Sequence, residues 1–232
     1  MPVPAVRAVS LGLRPYEEAL RVQQRCVAAA RSARCPPPPP RPPSEYLVLS
    51  EPARPVYAWG LRGAPTEDEA EKLRAAGAGL AAVRRGGSVT FHGPGQLLAF
   101  PVLDLKARGM QLRGYVERLQ DVAVRLCQRV GAVSAAGRPP PYTGVWVGDG
   151  KVCAVGVHCG NHITSHGLAL NCCTDLSWFE HIVPCGLEGT TATSLSRELG
   201  RHVTIEDILE PFLESFQEVF DCTVVFSEEP KD

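Results

Sequence analysis

A glycine-flanked turn followed by a lysine is the stretch around which the sequence is organised. Residues 144–157 have the sequence Gly-Val-Trp-Val-Gly-Asp-Gly-Lys-Val-Cys-Ala-Val-Gly-Val. Two apolar runs flank Gly148-Asp-Gly150, which is a typical turn signal between paired strands. The pattern predicts a β-hairpin with Lys151 at the mouth of its second strand. The chain has only four lysines, which makes this position conspicuous.

A cysteine on a constrained turn follows further along the chain, in Pro184-Cys-Gly186. Proline fixes its own φ and glycine admits left-handed backbone, so such a turn can direct a thiol into a pocket. A cysteine attacks as its thiolate, and a nearby cation stabilises that thiolate. Cys185 and Lys151 are therefore a candidate nucleophile pair. The residues alone leave open a buried loop cysteine and a solubilising lysine.

Small residues and glycines indicate a binding groove. Residues Ala154 to Gly156 and Gly167 to Ala169 fall on two predicted strands, where small side chains would leave room for a ligand or would simply allow tight packing. The glycine-rich stretch from Arg85 to Gln96 permits close backbone approach to a ligand, with a flexible connection as the alternative. It lacks the Gly-Lys-[Ser/Thr] of a Walker A motif, so phosphate binding is weakly supported.

Three histidines recur every four residues, at His158, His162 and His166, with Cys159 nearby. On a helix this spacing would give a metal-binding face, but the surrounding valines, isoleucine and threonine favour strands, which would scatter the side chains. We therefore predict no metal site. A Cys185–His166 pair of the thioesterase or amidase kind remains the main rival chemistry.

Five motifs occur in one order along the chain. They are Arg85-Gly-Gly-Ser-Val-Thr-Phe-His-Gly-Pro-Gly-Gln96, the lysine strand, His166-Gly-Leu-Ala-Leu-Asn171, Asp175-Leu176 and Pro184-Cys-Gly186. Together they resemble the octanoyltransferase family (lipoyl(octanoyl) transferase, lipoate–protein ligase B), in its mitochondrial form. Thr193-Ser-Leu195 is also similar to the segment that follows the family's cysteine. The resemblance runs from about Val6 to Phe226.

Strands and helices are mixed along the chain, with hairpins rather than regular βαβ units, which predicts an α+β fold. The resemblance implies a mixed β-sheet flanked by helices, similar to the biotin/lipoate protein ligase catalytic fold. It implies transfer of an octanoyl group from octanoyl-acyl carrier protein to a lysine of lipoyl domains, through a thioester on Cys185, with Lys151 activating the cysteine. The resemblance places substrate binding at Arg85, Gly86, Gly87, Ser88, Val89, Thr90, Phe91, His92, Ala154, Val155, Gly156, His166, Gly167, Leu168 and Ala169. It implies no cofactor, and acceptors in 2-oxoacid dehydrogenase complexes and the glycine cleavage H protein.

Two other classes of protein are rival interpretations. An ATP-dependent lipoate or biotin ligase of the same broad fold would activate a free acid as an adenylate and would need no cysteine nucleophile. A non-catalytic protein that binds an acyl carrier would not need Lys151 or Cys185. The Pro-Cys-Gly turn argues against the ligase, because a ligase has no need of a cysteine nucleophile. A thioester substrate is already activated, so its transfer needs no ATP.

Length and composition fit a globular catalytic domain. The chain has 232 residues, 44% hydrophobic and 21% charged, with a net charge of −1, which gives no indication of nucleic-acid binding. No apolar run reaches the roughly 18 residues of a membrane span. Nine cysteines without a Cys-x-x-Cys motif predict reduced thiols in a reducing compartment.

The predicted organisation is a single domain. The pattern predicts helices from about Tyr16, from a capping box at Thr66 to near Gly77, over 113–130, over 193–199 and from Thr204 to near Val219, with a loop over 174–192. Residues 1–34 form an N-terminal strand and helix, and they carry six arginines and two acids, a composition typical of mitochondrial targeting. A proline-rich insertion spans 35–44, residues 45–226 complete the catalytic domain that begins at residue 5, and 227–232 form an acidic tail. Because the start is rich in arginine and poor in acids, and the thiols are expected to be reduced, we expect the protein in the mitochondrial matrix.

Overall fold

A computed structural model of the chain describes residues 3–33, 45–183 and 189–230. The proline-rich insertion at 35–44 and the Pro184-Cys-Gly186 turn lie outside these described residues. The described cysteines, seven in number, are free thiols. Among the described residues no helix is both long and apolar enough to cross a bilayer.

Twelve strands are described, in two sheets. They are β1 Ala5–Arg14, β2 Glu45–Pro52, β3 Val56–Trp59, β4 Gly79–Ala82, β5 Val89–His92, β6 Gln96–Val102, β7 Ala136–Arg138, β8 Gly144–Val147, β9 Gly150–Gly160, β10 Ile163–Asn171, β11 Thr191–Ala192 and β12 Thr223–Phe226. The predicted hairpin is confirmed as β8 and β9, which pair antiparallel with Trp146 opposite Lys151.

Five α-helices begin and end near the positions that the sequence predicts. They are α1 Tyr16–Ser32, α2 Glu67–Ala75, α3 Leu112–Arg129, α4 Leu195–Leu199 and α5 Ile205–Phe220. The predicted capping box of α2 is present, since the Thr66 hydroxyl accepts from the Glu69 N–H while the Glu69 carboxylate accepts from the Thr66 N–H. Thr204 caps α5 in the same manner through Asp207.

The larger sheet is mixed, in the order β12-β1-β2-β6-β10-β9-β8-β7, with β11 added to β9. Its face alternation follows the strand period of two. Leu47 and Leu49 of β2 point to the side covered by α3 and α5. Tyr46 and Val48 point to the side covered by α1. The predicted fold class, a mixed sheet flanked by helices, is therefore confirmed.

Two connections differ from the expectation that hairpins would replace βαβ units. Strand β1 is parallel to β2 across α1, and β3 is parallel to β4 across α2. A parallel neighbour requires a crossover, and in both cases the helix supplies it. The segment 174–192 was predicted to be a loop but contains a 3-10 helix, Leu176–His181, because Asp175 caps it by accepting from the Ser177 N–H.

Candidate active site

The floor of the site consists of small residues on two paired strands. Gly156 of β9 lies opposite Gly167 of β10, and Ala154 lies opposite Ala169. A methyl group on Gly167 would come within 2.2 Å of the Ala99 carbonyl oxygen, so β6 passes too close to admit any side chain there. The predicted juxtaposition of the two small segments is confirmed, and they line one continuous groove.

The glycine-rich stretch forms the facing wall of this groove. The N–H of Gly86 donates to the carbonyl of Val157 at 3.0 Å, which holds the loop against β9. The buried guanidinium of Arg85 donates to three backbone carbonyls, those of Ala58, Gly86 and Ser88, at 2.8, 2.9 and 3.2 Å. These bonds fix the shape of the loop, because each carbonyl belongs to a different part of the wall.

Two of the predicted pocket residues do not line the groove. Ser88, Thr90 and His92 face it, whereas Val89 and Phe91 face the opposite side of β5. Successive strand residues alternate between faces, so a strand cannot present all of its side chains to one pocket. Phe91 instead stacks on Trp178, with 5.6 Å between ring centroids.

Lys151 is buried and held by aromatic and glycine contacts. Its ammonium nitrogen lies 4.8 Å from the centroid of the Trp146 ring, a favourable cation–π distance. Gly144 leaves space for the lysine stem, since a methyl group there would approach Lys151 Cε to 3.3 Å. The lysine lines a small cavity next to the groove, and the two cavities share Thr90, Ala154 and Ala169.

The segment that contains Cys185 is flanked on both sides by residues of the lysine cavity. Before it, Phe179 of the 3-10 helix lines the cavity, and after it Thr190 to Ala192 do so. The 3-10 helix is anchored by the Tyr57 hydroxyl, which donates to the Trp178 carbonyl at 2.6 Å. On the other side, β11 places Ala192 opposite Lys151. Cys185 itself lies outside the described residues.

The two groove histidines are buried and neutral near physiological pH. Burial, together with the nearby Arg85 cation, lowers the pKa of His92 to about 3 and that of His166 to about 4. His166 has a left-handed backbone, with φ of 55°, and its backbone N–H donates to the side-chain oxygen of Gln23 on α1. A neutral imidazole in this groove can bind polar groups without placing a charge beside an acyl chain.

Comparisons with known proteins agree with this geometry. Residues 15–217 match the model of the lipoyl protein ligase A/B catalytic domain. The chain belongs to this family. The mitochondrial octanoyl-[acyl-carrier-protein]:protein N-octanoyltransferase of Homo sapiens is 55% identical, with 98% of each chain covered. The octanoyltransferase of Rubrobacter xylanophilus is 41% identical, with 90% of each covered.

A solved structure supports the fold of the lipoyl ligase family. The putative lipoate protein ligase from T. acidophilum with bound lipoic acid superimposes with a TM-score of 0.74, at 15% identity, over 98% of this chain and 90% of that one. At that identity the likeness concerns the fold alone. The resemblance to octanoyltransferases inferred from five motifs is confirmed by the close relatives at much higher identity.

The fold of this lipoyl ligase domain places the three histidines of the repeat in different elements. His158 lies in β9, His162 in the turn and His166 in β10. Within the described ranges, no group of three or more histidine, cysteine or acidic residues is arranged to hold a metal ion. The β9–β10 turn explains the scatter, because Asn161 and His162 both have positive φ, as a two-residue hairpin loop requires.

Sequence reasoning missed several residues that shape the site. Trp146, Gly144 and Gln23 were not singled out, and Asn171 was noticed only as part of a motif. Trp146 carried a detectable signal, because a hairpin register places it beside Lys151. Gln23 carried none, since its contact with His166 spans 143 residues of sequence.

Proposed function

We propose that this member of the lipoyl ligase family transfers an octanoyl group from octanoyl-acyl carrier protein to a lysine of a lipoyl domain, through a thioester on Cys185. The observation that carries the proposal is the junction of the two cavities. The small-residue groove suits an acyl chain, and it adjoins the cavity lined by Lys151, with Thr90, Ala154 and Ala169 lining both. The identity to named octanoyltransferases supports the same activity.

Each reaction step follows from the chemistry of these groups. The sulfur of Cys185 attacks the thioester carbonyl, and the carrier's pantetheine thiol leaves as the enzyme thioester forms. The ε-amine of the target lysine then attacks this thioester, the Cys185 sulfur leaves as the amide forms, and the proton that the amine loses restores the Cys185 thiol. Both steps consume an activated acyl group, so neither requires ATP.

Lys151 is assigned the activating role. Its buried ammonium favours a thiolate nearby, since an opposite charge in a poorly solvated site stabilises the ionised form. The cavity it lines is bordered by the residues that precede and follow the cysteine turn. His166, by contrast, is neutral and lines the groove, which favours a role in the groove wall.

The groove wall residues bind the acyl chain. Burying the methylenes of an eight-carbon chain at about 0.8 kcal/mol each would contribute several kcal/mol to binding. Arg85, Gly86, Gly87, Ser88, Thr90 and His92 on one side, and Ala154 to Gly156 with His166 to Ala169 on the other, are the contacts that we assign.

The acceptors and the location are also part of the proposal. Several close relatives are named mitochondrial, and the arginine-rich start of this chain agrees with import. We infer that the enzyme works in the mitochondrial matrix on octanoyl-acyl carrier protein. Its acceptors are the lipoyl domains of 2-oxoacid dehydrogenase complexes and the glycine cleavage H protein.

Intact-mass spectrometry tests the proposed reaction. The protein is mixed with octanoyl-acyl carrier protein without ATP, and the expected result is a mass increase of one octanoyl group on Cys185. Addition of an apo lipoyl domain should discharge the adduct and octanoylate the domain. Cys185→Ala is the control that should form no adduct. Strict dependence on ATP, or carrier binding with no adduct, would overturn the proposal.

A further inference from the structure

A chain of side-chain amides runs beneath the groove and ends at one of its histidines. His92 Nδ1 lies 2.8 Å from Gln96 Oε1, and Gln96 Nε2 donates to Asn171 Oδ1 at 2.9 Å. Asn171 Nδ2 donates to the Thr193 carbonyl at 2.9 Å, and the Thr193 N–H donates to the Lys151 carbonyl at 3.0 Å. The chain therefore joins the glycine-rich wall to the lysine strand.

The direction of these hydrogen bonds is fixed at two points by backbone carbonyls. Gln96 Nε2 also donates to the Phe91 carbonyl at 3.3 Å, and Asn171 Nδ2 donates to that of Thr193. A carbonyl oxygen accepts and cannot donate. Flipping either amide would therefore place its oxygen against a backbone carbonyl oxygen, so that two acceptors face each other. Gln96 must therefore present its oxygen to His92, and His92 Nδ1 must carry the proton.

The other nitrogen of the ring then has a defined character. In a neutral imidazole protonated at Nδ1, Nε2 bears the lone pair and accepts. Among the described residues no buried side-chain nitrogen or oxygen lacks a hydrogen-bond partner. Within the part of the chain that the structure describes, His92 forms its hydrogen bond through Nδ1. Nε2 is therefore the ring nitrogen that reaches the surface of the groove. Tyr16 stacks on this ring at 4.9 Å and fixes its plane.

We propose that Gln96 and Asn171 are positioning residues that hold His92 as its Nδ1–H tautomer, so that Nε2 accepts a hydrogen bond from an N–H group of the substrate. The inference rests on the proposed acyl transfer. An acyl chain has no such donor, but each reaction partner has one near the reacting carbon. The carrier's pantetheine arm has an amide N–H, and the lipoyl domain has the attacking amine.

The neighbours of His92 favour acceptance over protonation. The charged and titratable groups around the ring are Arg85 of the loop, His166 of β10 and Tyr16 of α1. Arg85 opposes a second positive charge, and burial does the same, so the imidazole stays neutral through the physiological range. His92 is thus a fixed acceptor rather than a general base.

Nuclear magnetic resonance tests the tautomer without any enzymatic assay. Two-bond proton–nitrogen correlation spectra of protein labelled with 15N-histidine distinguish Nδ1–H from Nε2–H, and His92→Gln identifies the His92 signals among six histidines. The wild type should show the Nδ1–H form. Gln96→Leu should lose it, and Asn171→Leu should reduce it, since Gln96 keeps its Phe91 bond. An Nε2–H tautomer in the wild type would overturn the proposal.

Single-turnover kinetics identify which substrate donates to Nε2. Loss of one hydrogen bond corresponds to a rate decrease of roughly threefold to tenfold. If Gln96→Leu slows formation of the octanoyl adduct, the donor is the pantetheine amide. If it slows only discharge to the lipoyl domain, the donor is the attacking amine. An altered tautomer with both half-reactions unchanged would refute the assignment.

Two further variants separate positioning from general support of the fold. Gln96→Glu can accept from His92 Nδ1 and donate to Asn171 only while its other oxygen is protonated, because that oxygen faces the Phe91 carbonyl and Asn171 Oδ1. The variant should therefore keep the Nδ1–H tautomer and the rate where this carboxyl is protonated, and lose both as the pH rises and the carboxyl ionises. Thr164→Val is the matched control. Thr164 lies in the same strand as Asn171 but outside the groove, and the substitution removes its buried hydrogen bond to the Pro101 carbonyl. It should leave the tautomer and both half-reactions unchanged.

Where Gln96→Leu fails to fold, the wild-type tautomer and the pH profile of Gln96→Glu decide. Failure of the whole transfer scheme would instead appear as an absent Cys185 adduct in the wild type.

Discussion

At the scale of single residues, the site keeps two imidazoles neutral inside the protein. His92 and His166 have pKa values of about 3 and about 4, lowered first by burial and then by Arg85. An unfolded histidine has a pKa of about 6.5. The unfolded chain therefore binds more protons than the folded one between these values. Folding stability must fall as the pH drops below about 6.5.

The expected result is a loss of unfolding free energy on the order of 2 kcal/mol per histidine between pH 7 and pH 5. The measurement is urea unfolding at each pH. His92→Gln and His166→Gln should each reduce this pH dependence, and His181→Gln, at an exposed position, is the matched control. A pH dependence that both groove variants retain in full would contradict the burial of neutral imidazoles.

A second prediction concerns Lys151 and Cys185. Removing the ammonium in Lys151→Ala should raise the pKa of the cysteine toward the ordinary thiol value of about 8.5. Alkylation of Cys185 should then slow at neutral pH and recover as the pH rises. His166→Ala should weaken substrate use while leaving the alkylation profile nearly unchanged. The reverse pattern, with the shift in His166→Ala, would establish a Cys–His pair.

At the scale of elements, the two glycines paired across β9 and β10 should tolerate an added methyl group to different degrees. Gly167 faces the β6 backbone, where a methyl group would lie 2.2 Å from an oxygen and 2.7 Å from Pro101 Cδ. Gly156 faces the Arg85 side chain, with the methyl 3.1 Å from Cδ, a contact that a shift of a few tenths of an ångström relieves. Backbone cannot move aside without disturbing a strand pair, whereas a side chain can.

We therefore expect Gly167→Ala to lower the unfolding free energy by about 1–3 kcal/mol or more, as overpacking does. Gly156→Ala should change stability little but slow octanoyl adduct formation, because it moves Arg85 and narrows the groove. Gly114→Ala is the control, since it meets no atom within 4 Å and lies in α3, where alanine is favoured by roughly 0.5–1 kcal/mol. Equal destabilisation by both strand variants would contradict the distinction.

At the scale of the whole molecule, one buried ion pair ties distant parts of the chain together. Glu45 of β2 accepts from Arg108 Nε at 2.8 Å and from the Asp104 N–H at 3.0 Å. Arg108 also donates to the Phe220 carbonyl at the end of α5, at 2.9 Å. The side chains of Glu45 and Arg108 are 4% and 10% exposed, so water cannot replace a lost partner.

Glu45→Gln should cost about 3–5 kcal/mol of unfolding free energy, because it leaves the buried Arg108 charge uncompensated. Denaturant unfolding measures the loss. The matched control is Glu117→Gln in the exposed Arg113–Glu117 pair, where solvent screens the charges and no measurable change is expected. Similar effects from the two variants would show that burial does not govern the ion pair.

Elements whose signals are local could be predicted from the amino-acid sequence. The capping boxes at Thr66 and Thr204, the amphipathic α3 and the Gly148-Asp-Gly150 turn each depend on residues within a few positions. The pairing of small residues at Gly156 and Gly167 was also predictable, because adjacent strands of a hairpin have few registers. The five ordered motifs then identified the family.

Contacts between residues far apart in the chain could not be predicted in this way, because they form only when the chain folds. The pairing of Ala192 with Lys151, the Gln23 bond at His166 and the Gln96–Asn171 link join positions 41 to 143 residues apart, and no local pattern encodes such contacts. Val89 and Phe91 face away from the groove. The Phe91 ring packs against Tyr57 and Trp178, and this packing determines which face of β5 lines the groove. Local propensity specifies an element, whereas burial against the rest of the chain specifies which of its faces performs the chemistry.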